Sequence, residues 1–323
     1  MINKGLIAAY QFDGQGGGKA LDWSDIDNIS TADKLCWIHL DYTSPDAENW
    51  LKEKSGLDDL VIAALLSDDP RPRSAAMKDG LLVILRGVNL NPGADPEDMV
   101  SIRLWINDRQ IITTRRRKLL SVADVCDTIE QGIGPCSSGE FLASIASRLV
   151  ERMSVVVQDI DDKTDLLEGQ VLAEQSYQLR SDISKLRREA ISLRRYLAPQ
   201  REAMSRLFNE RAEWLSDTDR LRLREAADNV MRYIEDLDAI RERAIVIQEE
   251  LISHISEQMD KRMYVLSMVA AIFLPLGFFT GLLGVNLGGI PGADDKGSFF
   301  VFCGVLLAVV FLQVLLFRKM KWL

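Results

Sequence analysis

Two long apolar runs near the C-terminus constrain the fold more than any other feature of this 323-residue chain. The first occupies residues 263–283 and the second residues 298–317, and neither contains a charged side chain. An α-helix needs about 20 consecutive apolar residues to cross a lipid bilayer. One such run would also fit the core of a soluble protein. Two in succession, joined by a connection rich in Gly and Pro, predict an integral membrane protein with two transmembrane helices.

The charges around the two runs predict an orientation. Basic residues are concentrated at the outer ends of the pair of runs: Lys261, Arg262, Arg318, Lys319 and Lys321. The connection between the runs carries Asp294 and Asp295 with a single lysine. Because Lys and Arg are enriched on the cytoplasmic side of membrane proteins, we expect both termini in the cytoplasm and the connection outside the inner membrane.

The composition argues against several classes of function. A net charge of −9 does not supply the basic surface that nucleic-acid binding requires. The four cysteines form no CxxC pair and only two histidines are present, so neither a disulfide framework nor a Cys/His zinc site is predicted. His39, two residues after Trp37 in a predicted strand, is interpreted as a core residue. The sequence shows no phosphate-binding loop or nucleophile elbow, so we expect neither an enzyme nor a bound cofactor.

The first 138 residues predict a compact α/β domain. Short apolar segments predict five strands: Leu6–Phe12, Leu35–Leu40, Leu81–Val88, Val100–Ile106 and Gln110–Thr114. Turn residues between the last three predict an antiparallel meander. Residues 45–66 are expected to form one or two helices with a break near Ser55 and Gly56.

A helical stalk is predicted between this domain and the membrane. Residues 139–198 lack proline and are rich in Leu, Arg, Glu and Asp, which is typical of a long amphipathic helix. We expect this helix to end near Pro199 and a second helix to run from Gln200 to Gly284 without interruption. After Leu223, apolar residues recur every three or four positions, as the buried face of such a helix requires.

The predicted fold class is therefore an α+β membrane protein in which soluble and membrane parts follow one another. Its expected parts are a cytoplasmic α/β domain (1–138), a stalk (139–262), a first transmembrane helix (263–285), an outer loop (286–297), a second transmembrane helix (298–317) and a cytoplasmic tail (318–323).

Two transmembrane helices cannot enclose a water-filled path, so transport would require several copies around an axis. Small residues on the first run follow a spacing of three or four and form one narrow stripe: Ser267, Ala270, Gly277, Gly281 and Gly284, with Leu274 among them. Gly277 and Gly281 also make a GxxxG pattern. Such a stripe fits close helix packing and the lining of a pore equally well.

The motif Gly284-Val285-Asn286 lies at the outer end of the first run. A ring of Asn side chains at a pore mouth offers amide oxygens to the water molecules around a hydrated cation. Small divalent ions such as Mg²⁺ lose water reluctantly, so holding the hydrated ion avoids that cost. A carboxylate ring would hold the ion more tightly and slow its release.

In this position the motif resembles the Gly-Met-Asn signature of the CorA family of divalent-cation channels and transporters. Val285 and the Gly-Gly-Ile-Pro-Gly segment after Asn286 are similar to the ZntB-like branch, which handles zinc. Residues 69–73, 79–90 and 94–100 of the soluble part are similar to that branch as well. The resemblance covers nearly the whole chain.

The resemblance implies a funnel-shaped homopentamer in which the first span lines an axial pore and the second forms an outer ring. The implied pore residues are Met263, Leu266, Ala270, Leu274, Gly277, Gly284, Val285 and Asn286. Leu266 and Leu274 would be hydrophobic constrictions that stop ions when narrow and dry. Asn286 would hold the hydrated ion, and Asp294 and Asp295 would attract cations to the mouth.

The resemblance implies Zn²⁺ as the transported ion and protons as a further partner, because that branch is associated with the proton gradient. Neither span contains an ionisable side chain that would relay protons. Two alternatives fit the residues alone. One is a Mg²⁺ and Co²⁺ channel of the main CorA type, and the other is a membrane-tethered coiled-coil scaffold or sensor without ion flux.

Overall fold

The structure is a computed structural model that describes residues 5–28, 34–173, 177–284 and 297–319. The chain forms two compact units, Met1–Glu249 and Glu250–Leu323. The first unit contains all of the strands described and most of the helices, and the second contains the apolar helical segments.

A seven-stranded sheet forms the centre of the first unit. Its strands are β1 (Leu6–Phe12), β2 (Gly18–Ala20), β3 (Cys36–Asp41), β4 (Arg73–Met77), β5 (Gly80–Gly87), β6 (Val100–Ile106) and β7 (Gln110–Arg115). The order across the sheet is β2-β1-β3-β7-β6-β5-β4. Only β3 and β7 pair in parallel; the other neighbours, including the meander β5-β6-β7, are antiparallel.

The helices of the first unit cover both faces of this sheet. They are α1 (Trp23–Asn28), α2 (Pro45–Glu53), α3 (Asp59–Leu65), α4 (Leu120–Glu130), α5 (Ser138–Ala173) and α6 (Tyr177–Asn209), followed by α7 (Asp217–Gly284), which continues into the second unit, where α8 (Ser298–Lys319) lies. Ile38 and Leu40 of β3 pack in one core cluster with Trp50 of α2. On the other face, Phe141 of α5 packs on Trp37 with ring centroids 4.7 Å apart.

The five predicted strands and the meander are confirmed, with boundaries within one residue. The break within residues 45–66 is confirmed as well, because α2 ends at Glu53 and α3 begins at Asp59. Gly56 between them has a φ of +69°, a conformation that costs glycine little. Strands β2 and β4 were not predicted, since each is a short edge strand without a long apolar run.

The predicted end of the stalk helix near Pro199 is wrong. Pro199 lies inside α6, which continues to Asn209, and the helix that reaches the apolar segment begins at Asp217 rather than at Gln200. A proline within a helix removes one hydrogen bond and costs about 3 kcal/mol. Packing offsets this cost, because Leu197, Gln200 and Met204 are fully buried. Gln200 also accepts a hydrogen bond at 2.6 Å from the backbone N–H of Arg86 in β5.

The actual turn before α7 has its own capping interactions. The Asp219 N–H donates to the Ser216 hydroxyl oxygen at 3.2 Å, and the Ser216 N–H donates to the Asp219 carboxylate, also at 3.2 Å. This is a capping box, which satisfies backbone N–H groups at a helix start. Arg220 donates to the carbonyls of Phe208, Glu210 and Ala212 and so covers the end of α6. The Ser-Asp-Thr-Asp sequence is the signal that predicts this break.

Ion pairs tie the first part of α7 to the helices beside it. Arg243 bonds Asp161 at 3.1 Å and Glu168 at 2.7 Å, both on α5. Arg194 of α6 pairs with Asp238 at 2.6 Å. The apolar face of α7 is buried in this region, where Leu223, Leu237 and Ala244 have no exposed surface. The expected apolar periodicity after Leu223 is therefore confirmed.

His39 is a core residue, as interpreted from the sequence. Its side chain is fully buried, and Nδ1 lies 2.7 Å from the Thr113 hydroxyl oxygen, which also accepts a bond from the Trp37 indole at 2.8 Å. Burial is the main cause that lowers the pKa of His39 to about 3, and the nearby Arg115 adds to it. The folded protein therefore keeps this imidazole neutral.

We predict a stability loss in acid that depends on His39. The unfolded chain binds a proton on this histidine below about pH 6.5 while the folded chain does not, so the free energy of unfolding falls by about 1.4 kcal/mol per pH unit as the pH decreases toward the folded pKa. Replacing His39 with Asn keeps a hydrogen-bonding group but removes the titration. Equilibrium unfolding of the detergent-solubilised protein between about pH 7 and about pH 4.5 should show a shallower slope for His39→Asn.

His254→Asn provides the matched control, because it removes the other histidine of the chain, which lies partly exposed on α7. Equal pH slopes for the wild type and His39→Asn would contradict the assignment.

Candidate ion pathway

The second unit exposes far more apolar surface than a soluble protein tolerates. The C-terminal part of α7 and the whole of α8 are long and apolar enough to cross a membrane, and their apolar windows are not buried within the chain. Phe273, Phe278 and Phe300 are each more than 60% exposed. Contiguous apolar patches larger than a few hundred Å² mark contact with lipid or with other proteins. This surface therefore requires a bilayer, further copies of the chain, or both.

One side of each apolar helix faces the other helix. On α8 the half-buried side chains recur every three or four residues: Phe302, Leu306, Val309 and Gln313, with Phe317 buried beyond them. On α7 they are mainly Met268, Ala271, Ile272, Pro275, Leu276 and Phe279. The Gln313 side-chain amide donates to the Ala271 carbonyl at 3.2 Å and so joins the two sides.

The pore residues predicted on α7 lie on a different side of this helix. Met263, Leu266, Gly277 and Gly284 are exposed, Ala270 is half-buried, and Leu274 is the most exposed of the apolar residues among them, at 72%. At about 100° of rotation per residue, this stripe and the side toward α8 are about 180° apart. The second apolar helix therefore leaves the predicted stripe uncovered.

The glycines of the GxxxG pattern do not serve packing between α7 and α8. A Cβ atom built on Gly277, Gly281 or Gly284 would meet no described atom within 4 Å. In a GxxxG contact the partner helix approaches these positions closely. The pattern is thus available for contact with another copy or with water. This favours a role outside the single chain over packing between α7 and α8.

Four of the predicted site residues lie outside the described residues: Val285, Asn286, Asp294 and Asp295. The proposed mouth of the pore therefore rests on the sequence motif.

The soluble part contains three short clusters of acidic residues, and at least one member of each has a partner within the protein: Asp58-Asp59, Asp68-Asp69, and Asp159 with Asp161 and Asp162. Asp58 accepts the Leu60 N–H at the start of α3, Asp69 pairs with the buried Arg86, and Asp161 pairs with Arg243. Within the described ranges, no group of three or more His, Cys, Asp or Glu side chains is placed to hold a metal ion. Glu189 is half-buried, and its pKa is raised first by burial and then by the charge of Glu97. The charges of Lys163 and Lys185 act in the opposite direction and lower this pKa.

The fold and the site together define a class of membrane protein. In this class an α/β domain with a helical layer is followed by two apolar helices, and the second helix leaves one face of the first uncovered. Comparison with known proteins identifies the family. Residues 32–319 match the family described as CorA-like Mg²⁺ transporter protein. The chain belongs to this family and is therefore a membrane transporter for metal ions. This confirms the resemblance seen in the sequence. It also argues against a membrane-tethered scaffold.

Similar proteins cover the chain almost completely. A zinc transport protein, ZntB, from Pectobacterium carotovorum is 40% identical, with 99% of this chain and 97% of that protein covered. The divalent cation transporter CmaX from Pseudomonas aeruginosa is 38% identical, with the same coverage of both. The full-length CmaX structure superposes with a TM-score of 0.86 at 37% identity, covering 100% of this chain and 99% of that chain.

A more distant structure shares the fold. The CorA magnesium transporter from Methanocaldococcus jannaschii superposes with a TM-score of 0.82 at 20% identity, covering 98% of this chain and 99% of that chain. The α/β domain, the long helix and the two apolar C-terminal helices are therefore an arrangement that this chain shares with that structure.

We predict that the uncovered face of α7 is wet in the assembled protein. In a variant whose four native cysteines are replaced by serine, a cysteine at Gly277 should react with a charged, membrane-impermeant thiol reagent at least about tenfold faster than a cysteine at Leu276, because only a solvated thiol ionises readily. Leu276 is the matched control, since it lies at nearly the same depth on the side toward α8. Equal labelling of the two positions would show that the stripe faces lipid or protein.

Proposed function

We propose that the chain transports divalent metal ions, with Zn²⁺ as its main substrate, through an axial pore between five identical copies. The observation that carries this proposal is the face of α7 that α8 leaves uncovered, which coincides with the predicted pore residues. The choice of zinc is supported by the 40%-identical Pectobacterium protein, which is a zinc transport protein.

Assembly of several copies supplies what one chain lacks. Backbone groups of a helix are satisfied internally, but a path for a hydrated ion needs a ring of helices around it. When α7 of each copy turns its uncovered stripe to a common axis, α8 lies on the far side and meets the lipid. Its exposed apolar residues, such as Phe300 and Phe311, suit that environment.

The stripe is narrow, uncharged and mixed in size. Leu266 and Leu274 are the large apolar residues on it, and Ala270 and Gly277 are small. Rings of leucine would form dry constrictions, which stop ions until the pore widens enough for water to enter. A ring of alanine between them and a ring of glycine beyond Leu274 leave room for water. Because Leu266, Ala270, Leu274 and Gly277 have no ligating side chain, the ion would pass them with its water shell.

A ring of Asn286 side chains would form the first contact for the ion at the outer mouth. Amide oxygens accept hydrogen bonds from the bound waters without the strong attraction of a carboxylate. The chain would sit in the inner membrane with both termini in the cytoplasm, because Lys261 and Arg262 precede the first span and Arg318 follows the second.

Any use of the proton gradient would involve water in the pore rather than a relay of side chains. Residues 263–283 and 298–317 contain no Asp, Glu, Lys, Arg or His. A proton path through a membrane normally uses such groups. Protons would therefore travel along pore water or with the hydration shell of the metal.

The first test is zinc flux into liposomes that contain the purified protein. We expect Asn286→Ala to lower the initial rate of Zn²⁺ uptake by at least about tenfold, because the ring loses one hydrogen-bonding group from every copy and a cost of about 1.4 kcal/mol at the mouth is already a factor of ten. Asn286→Gln, which keeps the amide, is the matched control and should retain more flux. Flux of Mg²⁺ that exceeds flux of Zn²⁺ would support a Mg²⁺ and Co²⁺ channel, and the absence of all divalent flux would refute transport.

A second test concerns the acidic outer loop. Asp294 and Asp295 would raise the cation concentration at the mouth by long-range attraction. The double variant Asp294→Asn and Asp295→Asn should lower the uptake rate about two- to threefold at low ionic strength, and the difference should disappear near about 0.5 M salt, where charges are screened within a few Å. A loss that persists at high salt would indicate direct ion binding instead.

A further inference from the structure

Pro275 creates a defect in the hydrogen bonding of α7 within the apolar segment. Proline has no N–H, so the carbonyl four residues earlier, that of Ala271, loses its helical donor. In a bilayer no water replaces that donor, and an unsatisfied carbonyl there is costly. The defect lies beside the predicted constriction, because Leu274 directly precedes Pro275. A residue that precedes proline is also disfavoured in the helical conformation, which weakens the helix at this point.

Gln313 of α8 repairs this defect. Its side-chain nitrogen lies 3.2 Å from the Ala271 oxygen, the same carbonyl that Pro275 leaves without a donor. A carbonyl only accepts, so this contact fixes the orientation of the amide with its NH₂ group toward α7. The amide oxygen of Gln313 is buried without a partner among the described residues. Among the described residues, the Gln313 side chain therefore makes one hydrogen bond, and its acceptor is the Ala271 carbonyl.

The sequence shows both parts of this pair but not their match. Gln313 is the only strongly polar residue of the second run, and Pro275 is the only proline of the first. A polar side chain in a membrane helix is disfavoured unless it bonds to a neighbour. The two residues are 38 positions apart, and only the packing of α7 on α8 brings them together.

We propose that Gln313 is a positioning residue for the pore: its bond to Ala271 holds the proline-weakened turn of α7 in one conformation and thereby sets where Leu274 points. This inference rests on the proposed transport function, because the width at Leu274 matters only if α7 lines a pore. Gln313 itself lies on the side of α7 away from the stripe and touches no ion. Its influence on transport passes through the backbone of residues 271–275.

The experiment is a double-mutant cycle that combines Gln313→Met with Pro275→Ala. Methionine keeps the length of glutamine and removes the donor. Alanine at 275 restores the N–H, so the Ala271 carbonyl regains its bond within α7 and no longer needs Gln313. The cycle is read twice, on the stability of the detergent-solubilised full chain toward unfolding and on Zn²⁺ flux in liposomes.

We expect Gln313→Met alone to destabilise the protein and to lower the maximal Zn²⁺ flux by about three- to fifteenfold, the range that corresponds to one interhelical hydrogen bond in a membrane. The half-saturating Zn²⁺ concentration should not change, because the ion is captured at the mouth and not at Gln313. In the Pro275→Ala background the same substitution should have little effect on either measurement. This dependence on residue 275 separates a specific bond from a general loss of packing.

Equal effects of Gln313→Met in both backgrounds would overturn the proposal, as would a change confined to the half-saturating concentration. If the wild type shows no divalent flux at all, the transport function fails, and the positioning role fails with it. The unfolding cycle still decides whether the bond exists. If the wild type transports and the cycle shows no coupling, only the inference about Gln313 is wrong.

Discussion

One constraint governs the membrane part of this protein: a lipid bilayer offers no hydrogen bonds, and two helices cannot enclose water. The apolar helix α7 has to satisfy its backbone within the chain, and any path for an ion has to form between chains. The structure meets both demands on different sides of the same helix. The side toward α8 contains the Pro275 defect and the Gln313 amide that repairs it, and the opposite side contains the small and apolar stripe that no part of α8 covers.

The soluble part supports this arrangement without offering an ion site of its own among the described residues. The segment that resembles the ZntB-like branch proves to be structural: the buried Arg86 bonds the Pro70 carbonyl at 3.3 Å, and its guanidinium lies 4.0 Å from the centre of the Tyr196 ring. Arg103, fully buried on the neighbouring strand, bonds the Asp68 carbonyl at 3.1 Å. These contacts fix the loop before β4 against the sheet and α6, which explains the motif by folding rather than by metal binding.

The sequence predicted the features that depend on local pattern. Apolar alternation located five strands, and the charge-free runs located both membrane helices, because each signal lies within the segment that it describes. The edge strands β2 and β4 gave no such signal. The helix end predicted near Pro199 was wrong because the packing of Gln200 and Met204 outweighs the helix-breaking effect of proline. The turn before α7 was predictable from its Ser216–Asp219 capping box. The pairing of Gln313 with Ala271 was not, since it depends on how two helices pack.

The central claim is that the uncovered stripe of α7 lines a passage between copies. An electron cryo-microscopy map of the full chain in a lipid nanodisc tests this claim most directly. We expect five copies around an axis, with the Leu274 side chains directed toward it, Asn286 at its outer end and α8 in contact with lipid. A map in which Leu274 faces lipid, or in which the first spans leave no central passage, would contradict the account.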